Sequence, residues 1–183
     1  MEIRNNQQLI SELSKGKKFK YVYFWGHQNN QKNVNKSCFS QWYESSFEVD
    51  GNVFLTAEHF MMHAKALLFK DLHAAEKILN AKTPGEAKAI GREIGNFQEN
   101  MWLAHRFDIV VKGNLAKFSS NIALSQFLIN TGDRILVEAS PVDKIWGIGL
   151  AQDCSAVGEP TKWQGLNLLG YALMEVRKRL LES

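Results

Sequence analysis

The chain has few of the residues that mark specialised protein classes. Its 183 residues include only two cysteines and three prolines, so a framework of disulfide bonds is not expected. No run of about 18 apolar residues is present, which argues against a membrane-spanning helix. The first residues, Met1 to Asn6, lack the basic-then-apolar order of a signal peptide. We therefore expect a cytoplasmic protein with no membrane partner.

Motifs for common cofactors are also missing. There is no Walker loop, and no helix start closely follows Gly147-Ile148-Gly149, so this run is not a dinucleotide fingerprint. His59 and His63 have the i,i+4 spacing of zinc ligands. Phe60 follows His59 where a metalloprotease has its glutamate base. The sequence predicts neither a metal nor a cofactor, and a His59/His63 metal hydrolase is the weakest of three hypotheses.

What the chain does contain is the composition of an ordinary globular protein, with 45% hydrophobic and 22% charged residues. Its length predicts a single domain, residues 1–183, large enough to bury a core. A net charge of +3 is too small for a protein that coats nucleic acid, but it allows a local basic pocket for phosphate. This charge favours a small substrate over a nucleic-acid partner.

Hydrophobic periodicity and capping residues predict an α+β fold, mostly helical, with a small β-sheet. Asp50-Gly51 between two apolar runs predicts a hairpin, and Thr83-Pro84 with Glu86 predicts a capping box at a helix start. The polar stretch 26–36 predicts an exposed loop. Strands are expected at 21–25, 47–49, 53–55 and 135–139, and helices at 1–15, 56–69, 71–81, from 83 onward, 98–117, 121–130 and 165–181.

The predicted helix 56–69 is the element on which the functional interpretation rests. Thr56 is its expected N-cap. At about 100° per residue, Glu58 and Lys65 share one side of the helix, separated by roughly 10 Å along its axis. Met62 and Phe69 lie on the same side, and an apolar face that carries one acid and one amine suits the wall of a site. The expected core stripe is Ala57, Phe60, Met61, Ala64, Leu67 and Leu68.

Three further polar residues stand in unusual settings. Arg92 follows Gly91, whose missing side chain could let a ligand approach. Asp143 lies three residues before Trp146 in a glycine-rich stretch, and Asn167 stands at the start of the last predicted helix, where free N–H groups favour an anion. Each residue alone has an ordinary structural explanation as a turn-former, a cap or a core residue.

Taken together, these runs resemble one family, the NADAR superfamily, also called YbiA-like. The resemblance covers about residues 20–181 and leaves 1–19 as an N-terminal extension. One departure is Ser40-Gln41-Trp42, where the family usually has Ser-Asn-Phe, and Gln41 can keep an amide contact at longer reach. The matching runs are Asp50-Gly51, Thr56 to Phe60, Lys65-Ala66, Gly91-Arg92, Trp102, Lys117-Phe118, Asn121, Thr131 to Asp133, Leu136 to Pro141, Asp143 to Leu150 and Trp163 to Met174.

The resemblance implies an enzyme that cleaves the N-glycosidic bond between a base and ribose, without a cofactor. Family members hydrolyse ribosylamino-pyrimidine phosphates of riboflavin synthesis or remove ADP-ribose from guanine bases, so ADP-ribosylated nucleic acid is a further candidate partner. The resemblance matches Lys65 to the family nucleophile, a lysine that forms a Schiff-base intermediate with the sugar. Glu58 and Asp143 correspond to proton-transfer or ribose-binding groups. The implied substrate-binding residues are Arg92 for phosphate, Trp102 and Trp146 as walls, and Gly147, Asn167 and Gln41.

The residues themselves are compatible with this chemistry. A lysine amine attacks only when deprotonated, so its pKa must fall from about 10.4 toward neutrality. Met62 and Phe69 favour that change by desolvation, whereas Glu58 opposes it. The sequence leaves the balance open, and it also leaves a second hypothesis, a non-catalytic module that binds ADP-ribose or NAD.

Overall fold

A computed structural model describes residues 3–28 and 33–182. Contacts within the chain group these residues into two compact units, one from the described parts of Met1–Ser40 and Ala123–Ser183 and one from Gln41–Ile122. In the described chain the helices are α1 (Asn6–Ser14), α2 (Ala57–Leu68), α3 (Leu72–Asn80), α4 (Pro84–Arg92), α5 (Glu99–Ser119), α6 (Ile122–Ile129) and α7 (Leu168–Glu182). The strands are β1 (Tyr21–Phe24), β2 (Phe47–Val49), β3 (Asn52–Phe54) and β4 (Ile135–Glu138).

The first unit is built on a parallel pair of strands. β1 and β4 pair in the register that sets Tyr21 opposite Ile135, and α7 packs on β4. Leu9 of α1 is buried in one cluster with Ile135, Val137 and Ile148. The predicted N-terminal extension therefore contributes a core residue to this unit.

The second unit joins a hairpin to four helices. β2 and β3 pair in antiparallel fashion, with Phe47 opposite Phe54. Asp50 and Gly51 both have positive φ values, 53° and 79°, which is the backbone of a type I′ hairpin turn. Phe47 and Phe54 form a core cluster with Phe60 of α2, so the aromatic faces of the hairpin and the helix bury one another.

Several helix starts follow the predicted capping chemistry. The Thr56 hydroxyl accepts a hydrogen bond from the His59 N–H at the start of α2. At α4 the capping box is complete, because Thr83 Oγ1 accepts from the Glu86 N–H while Glu86 Oε2 accepts from the Thr83 N–H. These side chains satisfy N–H groups that have no partner inside the helix. The α+β fold class and the hairpin are confirmed.

Some boundaries differ from the prediction. The last helix begins at Leu168 rather than at residue 165, because Asn167 has a φ of +53°, which is outside the helical region. Leu67, expected in the core stripe of α2, is 46% exposed. The predicted loop 26–36 lies partly outside the described residues, and a short 3₁₀ turn starts at its last residue, Lys36. The single-domain prediction stays a prediction.

Candidate functional site

Lys65 lies near the carboxyl end of α2 and extends toward the end of α4. Its Nζ donates a hydrogen bond of 2.7 Å to the Gly91 carbonyl. The same atom is 4.7 Å from the ring centroid of Phe97 and 5.6 Å from that of Trp102. Within the described chain Lys65 forms no ion pair. The amine is therefore half-buried beside two aromatic rings, and no carboxylate of the described residues holds its charge.

The environment of Lys65 lowers the pKa of its amine below the ordinary lysine value, because burial removes water from the charged form. Met62 and Phe69, predicted to share this side of α2, are both buried. The lowered pKa increases the share of neutral amine at a given pH, and neutral amine is the form that attacks carbon. This corner of the second unit can therefore supply a nucleophile.

Gly91 serves a different purpose from the one predicted. A Cβ at this position would overlap the side chain of Met62, so the space left by the glycine is filled by α2 and is closed to a ligand. The expectation of ligand access at Gly91 is wrong. The close approach of α4 to α2 instead brings the Gly91 carbonyl within reach of Lys65.

Arg92, the last residue of α4, is exposed.

Phe97 was not singled out in the sequence. It lies in the segment between α4 and α5, packs on Phe69 with ring centroids 5.1 Å apart, and is 45% exposed. Asp71 holds this segment: its Oδ1 caps α3 through the Ala74 N–H at 3.0 Å, and its Oδ2 accepts from the Gly95 N–H at 2.9 Å. A lone aromatic residue in the polar run Gly95 to Asn100 was the available sequence signal.

Glu58 lies in the first turn of the same helix and is 3% exposed. Its backbone N–H donates to the Gln41 carbonyl at 2.9 Å. The Gln41 side chain is also buried, and its Oε1 accepts from Asn114 Nδ2 at 2.7 Å. Gln41 is therefore buried and hydrogen-bonded within the unit. This geometry does not directly support the predicted contact between Gln41 and a substrate. Trp102 is half-buried and has the ring contact with Lys65 described above.

In the other unit, Asp143 organises a tight loop. Its Oδ1 accepts from the N–H groups of Ile145 and Trp146 at 2.8 and 2.7 Å, and its own N–H donates to Ser140 Oγ at 3.1 Å. Within the described chain, Oδ2 of Asp143 has no hydrogen bond. The carboxylate therefore both shapes the loop and keeps one oxygen available, while Trp146 is half-buried.

Two other predicted site residues are used by the fold of this unit. Asn167 is 0% exposed: its Oδ1 accepts from the Glu138 N–H at 3.0 Å, and its Nδ2 donates to the Leu136 carbonyl at 2.9 Å. Gly147 lies against the Glu138 and Asp143 carbonyls, where a Cβ would be too close. Asn167 ties the start of α7 to β4, and Gly147 allows the loop to close. Neither geometry supports direct contact with a substrate.

The histidines of the metal hypothesis do not point to one centre. His59 Nδ1 lies 2.8 Å from Thr56 Oγ1, and its Nε2 lies 3.3 Å from the Ala81 carbonyl. His63 stacks edge-on against Phe54. Across residues 3–28 and 33–182, no three His, Cys, Asp or Glu side chains are grouped to hold a metal ion.

In the same residues no helix has the length and apolar character needed to cross a bilayer.

The fold and this geometry define an α+β protein with a half-buried lysine amine set between aromatic rings. The NADAR domain family matches residues 23–181, and the chain belongs to that family. An N-glycosidase of Acanthamoeba polyphaga mimivirus is 43% identical over 164 residues, which are 87% of this chain and 95% of the relative.

A riboflavin biosynthesis protein of Vibrio vulnificus is 30% identical over 161 residues, 88% of this chain but 39% of that protein. The NMR structure of the E. coli protein YbiA matches with a TM-score of 0.72 and 25% identity, and the match covers 91% of this chain and 88% of that one. The similarity of this structure supports the α+β fold independently of the sequence pattern.

Proposed function

We propose that the protein is an N-glycosidase that hydrolyses the bond between a base and ribose in ribosyl-phosphate or ADP-ribosyl substrates, with Lys65 as the nucleophile. The observation that carries the proposal is the environment of Lys65. Its amine has a backbone carbonyl as partner, has no ion pair within the described chain, and lies beside Phe97 and Trp102. Its lowered pKa favours the neutral form.

The reaction proceeds in two stages. The Lys65 lone pair forms a bond to the anomeric carbon while the bond to the base breaks, and the base leaves with that electron pair and takes up a proton. The bond from the anomeric carbon to the ring oxygen then breaks, a proton passes from the amine to that oxygen, and the nitrogen lone pair forms the C=N bond of a protonated Schiff base between Lys65 and the open sugar. Water adds to this carbon and expels the amine, so that free sugar and the original lysine are restored.

Two carboxylates are assigned to proton transfer. Asp143 keeps Oδ2 without a hydrogen bond in the described chain, so this oxygen can exchange a proton with the leaving base or with water. Glu58 is assigned either to the same work or to binding the ribose hydroxyl groups. Arg92 is assigned to phosphate because it is exposed beside the Lys65 partner Gly91.

The names of the relatives support the substrate class. One relative is an N-glycosidase and another is a riboflavin biosynthesis protein. A ribosylaminopyrimidine phosphate and ADP-ribose on guanine share the bond to be broken, and the small net charge of +3 favours a free metabolite over nucleic acid. A cytoplasmic location, expected from the two cysteines, remains part of this proposal.

Trapping with borohydride tests the nucleophile. The protein is mixed separately with a ribosylaminopyrimidine 5′-phosphate and with ADP-ribosylated guanosine, the reductant is added, and the intact mass is recorded. We expect an adduct with the mass of the ribose phosphate or of the ADP-ribose group that peptide mapping places on Lys65, and loss of the adduct in Lys65→Ala. Lys77→Met, which removes an exposed lysine of α3, is the matched control and should be trapped as the unchanged protein is.

The same experiment separates the proposals. Released base without an adduct means direct attack by water, with Glu58 or Asp143 as base, and rejects Lys65 as nucleophile. Binding of either substrate with neither adduct nor released base means the non-catalytic module that binds ADP-ribose or NAD. A folded Lys65→Ala protein with undiminished turnover contradicts the mechanism.

A further inference from the structure

A cavity lies in the Gln41–Ile122 unit, away from Lys65. It is a cleft with a volume of about 510 Å³, lined by the β2–β3 hairpin, α2 and α5. Small-molecule sites usually fall between about 300 and 1,000 Å³. At about 100° per residue, its lining residues Phe60, His63 and Leu67 project from the side of α2 opposite Lys65. The cavity is therefore distinct from the amine site.

The floor of this cavity is apolar and partly aromatic. Phe54 of β3 and Phe60 of α2 line it with ring centroids 5.2 Å apart in an edge-on arrangement. Leu67, Leu68 and Ile109 complete the apolar surface. Phe54 is 1% and Phe60 is 5% exposed, so the cavity meets only a small part of each ring. A flat ring can pack against this combined aliphatic and aromatic surface.

His63 is the polar group buried in this floor. It is 8% exposed and contacts the Phe54 ring at 5.2 Å, yet it has no hydrogen bond to any residue within the described chain. His59, one turn earlier, has a partner at both ring nitrogens. The His63 nitrogens are not among the fully buried, unpaired side-chain atoms of the described chain, so they are open to the cavity. A ligand in the cavity can therefore hydrogen-bond to them in place of water.

The protonation state of His63 defines what that partner can be. Burial lowers the pKa of His63 below its ordinary value, so the neutral ring is favoured at pH 7. A neutral imidazole has one N–H donor and one acceptor nitrogen. It can therefore bond to a ring nitrogen or to an amino group without requiring a charge on the ligand.

The charges at the cavity edge select against anions. Lys112 of α5 is paired with Asp50 of the hairpin at 2.9 Å. Asp108 also lines the cavity and has no ion pair within the described chain. Lys112 and Asp50 offset one another, so Asp108 leaves the edge with an excess of one carboxylate. A phosphate or carboxylate ligand is repelled, whereas an amino group finds an acceptor.

We propose that this cavity binds an amino-substituted heteroaromatic ring, neutral or cationic, packed against the apolar floor and hydrogen-bonded to His63. Its amino group faces Asp108 at the edge. The site does not depend on the N-glycosidase proposal, because none of its residues belongs to the Lys65 surroundings.

Protein-observed NMR on ¹³C-labelled protein tests this site directly. Adenine and 2-aminopyridine serve as probes, benzoate as the anionic counterpart, and the ring signal of His63 is identified by its loss in His63→Phe. We expect the two amino-substituted probes to shift the His63 signal in a saturable manner, and benzoate to leave it unchanged. Absence of saturable shifts for both amino probes overturns the proposal without any variant, and so does benzoate binding of equal strength.

Two variants sharpen the test. His63→Phe keeps the ring volume but removes both nitrogens, and we expect at least a tenfold weaker affinity for adenine. His73→Phe makes the same change at an exposed position of α3 and should bind as the unchanged protein does. Asp108→Asn should weaken 2-aminopyridine more than adenine, because the former becomes cationic more readily. Unchanged adenine affinity in His63→Phe contradicts the proposal.

Discussion

Lys65 in one unit and Glu12 in the other both have lowered pKa values, but with opposite consequences for charge. Hydrogen bonds from Lys15 and then Lys17 lower the pKa of Glu12 from 4.5 to about 2, so its charged form is favoured. Burial lowers the pKa of Lys65, so its neutral form is favoured. The fold stabilises the charge of the acid and destabilises the charge of the amine.

The partners of the two groups account for the difference. Both oxygens of Glu12 are bound by lysine ammonium groups. Its charge is therefore compensated, and the carboxylate is not expected to take part in a reaction. The Lys65 amine has one backbone carbonyl and two aromatic rings. A titratable group held by opposite charge is typical of structure, and one held by uncharged surroundings is typical of a reactive site.

Asp143 is held by backbone N–H donors, so it is neither paired with an opposite charge, as Glu12 is, nor in uncharged surroundings, as Lys65 is. Variants of Asp143 test whether such a carboxylate is structural or reactive. Asp143→Asn keeps an oxygen for the N–H groups of Ile145 and Trp146 but cannot transfer a proton as an acid does. We expect kcat to fall by about 10²-fold or more with an unchanged melting temperature. Asp143→Ala should lower both. If Asp143→Asn keeps full turnover, the residue is structural, as Glu12 is.

Gly91→Ala perturbs the partner of Lys65. The new Cβ overlaps the Met62 side chain, so either Met62 must rearrange or α4 must move away from α2, and we expect a loss of about 1–3 kcal/mol in the free energy of unfolding. Gly85→Ala, in the same helix, is the control, because its Cβ would meet its nearest neighbours at an ordinary 3.8 Å. Urea unfolding compares the two variants. Equal stability of both would mean that Met62 can rearrange freely.

Phe97→Ala removes part of the uncharged surroundings of Lys65. Water then reaches the amine, and the pKa of Lys65 should rise toward its ordinary value. The measurement is the rate at which an amine reagent modifies Lys65, followed by mass spectrometry across pH. We expect the midpoint of this rate to move to higher pH, and to move less in Phe97→Leu. An unchanged midpoint would show that Phe97 does not desolvate the amine.

Glu12→Gln removes the negative charge that Lys15 and Lys17 compensate. We expect this change to alter the stability of the protein and not its turnover. The folded-state pKa of Glu12 is about 2, below the ordinary 4.5. Its contribution to stability is therefore present above pH 4.5 and is lost as pH falls toward 2. The difference in melting temperature between the unchanged protein and Glu12→Gln should shrink across this window, with turnover at neutral pH unaffected. A difference that is constant with pH would rule out this charge effect.

Local patterns were sufficient for much of the fold. Thr56, Asp71 and Thr83 act through hydrogen bonds to N–H groups three residues later, so the helix starts at α2, α3 and α4 were readable within a few residues of sequence. Asp50-Gly51 likewise defined its hairpin through backbone preference alone. The same periodicity placed Lys65 on the correct side of α2, beside Met62 and Phe69.

The surroundings of these residues depended on contacts between distant parts of the chain. Asn167 was expected at a helix start, but its amide is taken up by β4, about 30 positions earlier in the chain. Gly91 was expected to face a ligand, but Met62 fills that space. A residue pattern shows which polar groups and gaps a segment offers, but it does not show which distant residue will bond to or fill them in the folded protein.

The sequence by itself therefore determined the helices and the hairpin, the family, and the side of α2 that carries the amine, because caps, turns and helical periodicity act over a few residues. Only the tertiary structure decided that Phe97 covers Lys65, that the Gly91 carbonyl is the partner of Lys65, and that His63 lines a cavity with no hydrogen bond to the described residues. Burial and pKa depend on atoms brought together by packing, and packing joins residues whose separation along the chain follows no local rule.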